Sequence, residues 1–350
     1  MSGALEGLGL DSDVLALASQ EKQDLVLGRI TRVDRGMYNV ATQSDAKRAT
    51  LSSALTAQPA PEERPAIGDW VLLDAEDVIE VVLQRRSAFR RGDADRLRAQ
   101  VVAANIDVVF VVHAVNDEPN FRRLERELAL AWESGATPVI VLTKSDDCDD
   151  AIALSQRFIA VAQDVEVVVT SAHQRRGLED LVRFARPNRT VTFIGASGVG
   201  KSSLVNALLD EAVQEVKPVR ESDGRGRHTT THRELFSLTG GGVLIDTPGL
   251  RSLGMWQSDA GIAKVFADIQ SLAQGCRFSD CAHEIEPGCA VMAAASVGEI
   301  DPARIANYKA MLAELDSLDR ESEVRSRLDK QRRSKLFSRA AETQRQPTLP

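Results

Sequence analysis

Three patterns in the 350-residue sequence predict a multidomain chain: a small β-barrel first, a mostly parallel α/β domain next, and a helical region built around a metal last. Between Asp24 and Leu83, short apolar runs alternate with Gly and Asp turns. From 106 to 245, apolar runs alternate with helical stretches, and after that three of the four cysteines fall within fourteen residues.

Residues 1–20 lack usable periodicity and are expected to form a flexible leader. The barrel, placed at 21–92, rests on Leu25–Leu27 with Ile30 and Val33, on Tyr38 and Val40, on Trp70–Leu73 and on Val78–Leu83, joined by turns such as Arg35-Gly36 and Gly68-Asp69. The α/β domain, placed at 93–256, has strand-like runs at 106–112, 138–142, 165–169 and 190–194. Helical stretches near 121–134, 150–162, 177–185 and 201–209 alternate with them, and short strands are expected near 233–238 and 242–245. Buried apolar runs alternating with helices indicate a parallel sheet covered on both faces. From 257 to 350 the pattern is helical except around the cysteines, with a long charged helix from about Pro302 towards Arg339.

The first twenty residues hold Glu6, Asp11 and Asp13 and no Lys or Arg, which excludes a secretory signal. The most apolar segment, Val101–Val115, is broken by Asn105, Asp107 and His113 and falls short of the ~20 residues a membrane span needs. The expectation is a soluble, cytoplasmic protein with no membrane partner and, in the absence of any oligomeric signal, a monomer. The net charge of −8 taken alone argues against nucleic acid as a partner. The charge is nonetheless segregated: segments 85–98, 217–233 and 320–345 together hold +12, and the remainder holds −20.

Gly195-Ala196-Ser197-Gly198-Val199-Gly200-Lys201-Ser202 fits G-x-x-x-x-G-K-[ST] between an apolar run and a helical stretch. Glycines let backbone N–H groups turn onto phosphate oxygens, Lys201 reaches the β and γ phosphates, and Ser202, next to Ser203, opens the helix and ligates Mg²⁺. Asp246-Thr247-Pro248-Gly249 comes directly after the run Val243–Ile245, which suits an Asp that holds Mg²⁺ through water and a Gly whose N–H meets the γ-phosphate. Thr143-Lys144-Ser145-Asp146 and Thr170-Ser171-Ala172 each close a strand. A carboxylate such as Asp146 accepts from the N1 and N2 donors of guanine, which adenine lacks, and a backbone N–H at Ser171 or Ala172 meets guanine O6. Cys276-x4-Cys281-x-His283-x5-Cys289 supplies three thiolates and an imidazole, enough for one closed, structural Zn²⁺ site. Cys148 stands apart as an ordinary thiol.

These boxes resemble those of Ras-like GTPases, except that the base-reading boxes at 143–146 and 170–172 precede the phosphate loop, the order of circularly permuted GTPases. Barrel, permuted GTPase and Cys-Cys-His-Cys segment in that order resemble the small ribosomal subunit biogenesis GTPase family of bacteria over about residues 20–340. The resemblance implies an OB-fold barrel and 30S-stimulated hydrolysis of GTP to GDP late in 30S maturation. It also implies contact with 16S rRNA and control over the release of other 30S assembly factors. Gly224–Thr231 matches the family's switch I, so Thr229 or Thr230 is expected to complete the Mg²⁺ shell. Leu250 stands where Ras-like enzymes carry a water-orienting Gln, which leaves His228 as the candidate catalytic group by resemblance, with His232 behind it. An RNA contact is the competing role for His228. The box also departs from the family: Thr143 replaces the usual Asn, so the carboxamide contacts are lost and lower affinity is expected. Two other readings are an RNA-binding assembly factor with a vestigial nucleotide site, which Lys201, Ser202 and Asp246 disfavour, and a P-loop ATPase or kinase, which would make Asp146 incidental.

Overall fold

The computed structural model describes residues 4–22, 24–34, 36–57, 64–92, 99–115, 118–162, 164–209, 234–238, 241–246, 259–318 and 320. Five strands close the N-terminal barrel: β1 (Val26–Asp34), β2 (Met37–Thr42), β3 (Ala46–Leu51), β4 (Trp70–Leu73) and β5 (Val78–Val82). Their order is β1-β2-β3-β5-β4, and β4 returns to pair with β1. The β3–β5 pair is parallel and the rest are antiparallel, as an OB-type barrel requires. Ile30, Tyr38, Val40, Val71, Leu73 and Ile79 fill the interior, one face of each alternating strand.

The described part of the leader, residues 4–20, carries helical turns. Helix α1 (Ser12–Ser19) is capped by the Asp11 side chain, which accepts from the backbone N–H groups of Asp13 and Val14. Leu5 and Val14 are buried against Trp70, Leu72 and Leu83, so the leader covers apolar surface on the outside of the barrel. Strand β3 has little signal in the sequence because Ala46-Lys47-Arg48-Ala49 carries little β-forming character. The basic segment 85–98 is not a plain linker: it contains strand β6 (Ala88–Gly92), which pairs antiparallel with β7 (Ala99–Ala104). The expected domain boundary at 92/93 therefore cuts a hairpin. Buried Ala88 and Phe89 show what the charge pattern concealed.

The nucleotide-binding half of the sheet has the order β10-β9-β8-β11-β13-β12. Its strands are β8 (Val108–Ala114), β9 (Thr137–Thr143), β10 (Val167–Val169), β11 (Thr190–Gly195), β12 (Glu234–Ser237) and β13 (Val243–Asp246). All neighbouring pairs are parallel except β12–β13. Helices α3 (Phe121–Glu133), α4 (Ala151–Val161), α5 (Leu178–Ala185) and α6 (Lys201–Leu209) supply the crossovers, while a short α2 (Ser53–Ala57) lies on the barrel. Two apolar clusters, one on each face of the sheet, bury strands β8 and β11 throughout and β9 from Pro138 onward.

One buried cation welds the parts together. Arg29 on β1 is 1% exposed and donates to Gly68 O at 3.3 Å, Asn105 O at 3.3 Å, Thr190 Oγ1 at 2.7 Å and Leu8 O. Those acceptors belong to the barrel, the turn between β7 and β8, the phosphate-loop strand and the leader. Burial pulls its pKa down to about 10, so it stays charged at neutral pH. Strand β1 also bridges to β12 through the Arg32–Glu234 register, which makes barrel and nucleotide sheet continuous.

The C-terminal region comprises α7 (Ala260–Val265), α8 (Ala267–Ala273), α9 (Ala290–Ser296) and a helix α10 at 302–318. The remainder of the expected charged helix lies outside the described residues. This region docks on α3. A Cβ on Gly261 would lie 2.1 Å from Ala129 O, so only glycine allows α7 to pack this closely on α3. Arg304 links Glu125 and Asp268, its Nε 3.0 Å from Asp268 Oδ2, and Arg126 reaches Glu314 at 2.6 Å. Burial raises the Glu125 pKa, against the pull of Asn307 and Arg304. Among the described residues no helix is long and apolar enough to cross a membrane. Replacing Arg29 with Met should leave Asn105 O and Leu8 O without this donor, while Gly68 O keeps the Asn105 Nδ2 donor at 3.1 Å, and lower stability by about 3 kcal/mol, read as an earlier urea midpoint.

Candidate nucleotide and metal sites

Parallel strands present their carboxyl ends on one edge, and this is where the site is assembled. Strand β11 ends in the phosphate loop, in the middle of the sheet between β8 and β13. Gly195 there has φ 139°, and a Cβ on it would lie 2.4 Å from Val112 O on β8, so backbone geometry and close approach both require glycine. Gly198 and Gly200 also have positive φ, while Val199 is buried beneath the loop, Ala196 packs partly buried against the core, and Ser197 and Gly198 are exposed. Lys201 starts α6, is buried, and its Nζ donates to Gly195 O at 2.9 Å and to Ala196 O. The ammonium is thereby held under the loop that is expected to wrap phosphate. Ser202 and Ser203 come next, half-buried, on the first turn. Asp246 closes β13 beside the phosphate-loop strand.

Both base-reading boxes lie on the same edge. Thr143 ends β9, Lys144 takes a left-handed conformation at φ 59°, and Ser145 and Asp146 continue in a single 3-10 turn. Thr170 N–H donates to Leu142 O at 2.6 Å and Ser145 N–H to Thr170 O at 3.1 Å, which pins the second box beside the first. The Ser171 hydroxyl donates to Asp146 Oδ1. That bond is the main reason the Asp146 pKa lies below the ordinary carboxylate value, with His173 and Arg176 adding positive potential. Ser171 and Arg176 exchange two backbone hydrogen bonds at 3.0 and 2.9 Å, so 171–176 forms a closed loop with Ala172 at its base. Arg176 also donates to Ser145 Oγ at 3.1 Å. A carboxylate fixed in this way is a ready acceptor for two adjacent donors on one base edge.

Thr143, Lys144, Ser145, Asp146, Ser171, Ala172, the loop 195–200, Lys201, Ser202, Ser203 and Asp246 are thus gathered on one edge of the sheet. The expected His228, Thr229, Thr230, His232 and Gly249 lie outside the described residues. Two contacts had no signal in the sequence. Arg176 braces the first box, and Thr143 Oγ1 donates to Val199 O, fifty-six positions away.

The cysteine cluster is equally compact. Ligand atoms of Cys276, Cys281, His283 and Cys289 all lie within 4.8 Å of one another. Cys276 Sγ is 3.9 Å from Cys289 Sγ and 3.7 Å from His283 Nδ1, and Cys289 Sγ is 3.5 Å from His283 Nδ1. A tetrahedral zinc site has edges of about 3.8 Å between sulfurs and about 3.6 Å between sulfur and nitrogen, close to the three separations among Cys276, His283 and Cys289, and Cys281 completes a four-donor set of the right chemistry for Zn²⁺. Burial raises the Cys276 thiol, but the Val291 and Ala290 N–H groups at the start of α9, with the neighbouring thiols, outweigh it and lower its pKa. Cys148 is half-buried against the sheet core, away from the cluster.

The family model described as RsgA GTPase matches residues 82–256. A small ribosomal subunit biogenesis GTPase RsgA from Streptomyces avermitilis is 43% identical over 329 residues, spanning 92% of this chain and 88% of its own length. The chain belongs to the RsgA GTPase family. An RsgA from Syntrophotalea carbinolica is 39% identical across 91% of each chain. The crystal structure of YjeQ from Thermotoga maritima matches with a TM-score of 0.62 at 28% identity, over 83% of this chain and 98% of that one. YloQ, described as a circularly permuted GTPase, shares the fold with a TM-score of 0.62 at 23% identity, over 84% of this chain and 96% of its own. As a member of the RsgA family, the chain is a GTPase and therefore a hydrolase.

Metal analysis of the purified protein should return one zinc per chain. Cys276→Ser should reduce this to well under half and lower the thermal midpoint, because the cluster closes the loop between α8 and α9.

Proposed function

We propose that this chain hydrolyses GTP to GDP and phosphate on the maturing 30S subunit, and that the nucleotide state sets how long it stays there. The observation that carries the guanine assignment is Asp146, held by the Ser171 hydroxyl at the strand edge that also bears the phosphate loop. Lys201 and the loop amides would bind the phosphates, with Mg²⁺ held by Ser202, by Asp246 through water, and by Thr229 or Thr230 from switch I. Gly249 would meet the γ-phosphate. One Zn²⁺ would hold the C-terminal fold together and take no part in the chemistry. The relatives' names, small ribosomal subunit biogenesis GTPase, support the 30S particle as the partner. We place 16S rRNA against the barrel, the basic hairpin and the C-terminal arm, with other assembly factors released as the cycle completes. The protein acts as a cytoplasmic monomer.

His228 is the proposed general base, since an imidazole accepts a proton from water near neutral pH. GTP turnover should be slow alone and rise on adding 30S subunits. His228→Ala should reduce the stimulated rate roughly a hundredfold, and a variant that keeps full stimulation would remove the residue from the chemistry.

Asp146→Asn replaces one acceptor with a donor, which suits the O2 of xanthine instead of the N2 of guanine. GTP affinity should fall at least about a hundredfold and XTP binding should appear, measured by competition with a fluorescent nucleotide. ATP competing as well as GTP against the unaltered protein would remove the guanine assignment.

A further inference from the structure

Ile285 is the most exposed of the large apolar side chains among the described residues, at 94%. Single exposed apolar residues are ordinary, so exposure alone says little. What sets Ile285 apart is how firmly the backbone on either side of it is held. It lies in the loop between Cys281 and Cys289, two positions after His283. The Glu286 carboxylate accepts from Glu284 N–H at 2.8 Å and from Ala282 N–H at 2.9 Å, which folds 282–286 into a closed turn. Bonds from those backbone N–H groups hold its carboxyl down at about 2, so the clamp is charged throughout the physiological range. The Glu284 side chain is tied to Lys309 on α10. His283, in the left-handed region at φ 56°, and Cys281 turn their ligand atoms towards the cluster from the same loop. A side chain displayed on a backbone fixed in this way loses little conformational entropy on contact.

Phe278, two positions from Cys276, and Met292, three positions from Cys289, are exposed as well. The ligand atoms of Cys276, His283 and Cys289 lie within 4.8 Å of one another, so Phe278, Ile285 and Met292 all lie close around the cluster. The charge beside them is negative. Asp280 and Glu284 are exposed, Glu286 is half-buried, and three thiolates exceed a divalent cation by one charge. Arg277 is the one Lys or Arg between Cys276 and Cys289, and its guanidinium lies over the Phe278 ring, 5.5 Å from the centroid.

RNA is a poor match on two counts. Its phosphates are repelled by this charge, and its bases stack on aromatic or guanidinium planes, which an isoleucine does not offer. The carboxylates also oppose a second copy of the same face and an anionic lipid surface. A protein pocket that is apolar inside and bordered by Lys or Arg answers both the isoleucine and the carboxylates.

We propose that Ile285 is a docking knob of the cysteine loop, seating in an apolar pocket of a basic protein on the 30S particle, with Asp280 and Glu284 facing the pocket's cationic rim. The proposal rests on the 30S reading above and deepens it: this loop meets protein where the basic segments meet phosphate.

The test places the photoreactive residue p-benzoylphenylalanine at position 285 of the full chain, binds it to purified 30S subunits and irradiates. The cross-linked species should keep its electrophoretic size after ribonuclease treatment, as a chain joined to a second polypeptide does. An adduct that ribonuclease trims, or no adduct from a chain that co-sediments with the subunit, would overturn the proposal. Ile285→Ala and Ile285→Lys should each weaken co-sedimentation at least about tenfold, the effect of losing one anchoring side chain, and Ile285→Leu should stay within about twofold of the unaltered chain. All three should keep their zinc and their unstimulated GTP turnover, because a side chain this exposed supports neither. Tighter binding of Ile285→Lys would point to phosphate and count against the pocket, and unchanged binding of both Ala and Lys variants would remove the knob. Should a variant lose its zinc, the cross-link decides alone. If the unaltered chain did not bind the subunit, the 30S reading would fall and this proposal with it, whereas failure of the Ile285 arms alone leaves that reading intact.

Discussion

The pairing of β11 with β8 on one side and β13 on the other is the constraint on which the site depends. Parallel registers, Gly195 against Val112 and Thr192 against Ile245, bring the phosphate loop and Asp246 to one edge. Strand β9 adds the first base box by pairing Thr143 with Ala114, and β10 adds the second. Hydrogen-bonded neighbours in a sheet are indifferent to the order in which the chain visits them. Base boxes placed before the phosphate loop therefore form the same site as base boxes placed after it, provided the crossovers are rebuilt. In this chain the second base box is joined to the phosphate loop by α5 and the short link into β11, while the barrel and the zinc region are attached at the two ends of the domain.

Both appended parts are fixed to the nucleotide domain by buried charge. Arg29 binds the start of β11 through Thr190, and the Asp107 carboxylate accepts from Thr190 N–H at 2.7 Å, so the phosphate-loop strand is anchored at the end opposite its loop. Glu125 and Arg304 do the equivalent for the zinc region, and Gly261 brings α7 onto α3 at backbone distance. A buried pair of this kind is costly to break by removing one member, because the other charge is left without a partner. Of the described residues on either side of 247–258, Asp246 ends β13 in the nucleotide sheet and Asp259 precedes α7, which packs on α3 of the same domain.

Much of the architecture was legible because it depends on local periodicity. The apolar runs at 138–142 and 190–194 became β9 and β11 almost residue for residue, and the stretch at 201–209 became α6. The features that were not legible depend on distant partners. Residues 1–20 gave no periodic signal because the large buried side chains among the described residues there are Leu5 and Val14, and their complement is Trp70 and Leu72, more than fifty positions away. Strand β6 was hidden because Arg90 and Arg91 dominate its composition, although Ala88 and Phe89 carry its packing. In the site, the boxes were readable as motifs, whereas the Thr143–Val199 tie and the Ser171–Asp146 bond exist only once strands 25 to 56 positions apart are side by side.

Charge shows the same division between pattern and partner. Segment 85–98 holds six arginines against two aspartates, a local +4 that suggests contact with a polyanion. Arg85, however, binds fully buried Asp69 at 2.7 Å through Nη2 and 2.8 Å through Nε, and Arg86 pairs with Asp11. Arg85 is committed to joining barrel and hairpin through a carboxylate with no exposure, whereas the Arg86–Asp11 pair is more than a third exposed on both sides. An arginine already satisfied by a buried carboxylate releases no counterion when RNA arrives and adds nothing to the salt dependence of binding. The +4 of segment 85–98 therefore overstates the positive charge this segment offers to a polyanion, because Arg85 is already spent on Asp69.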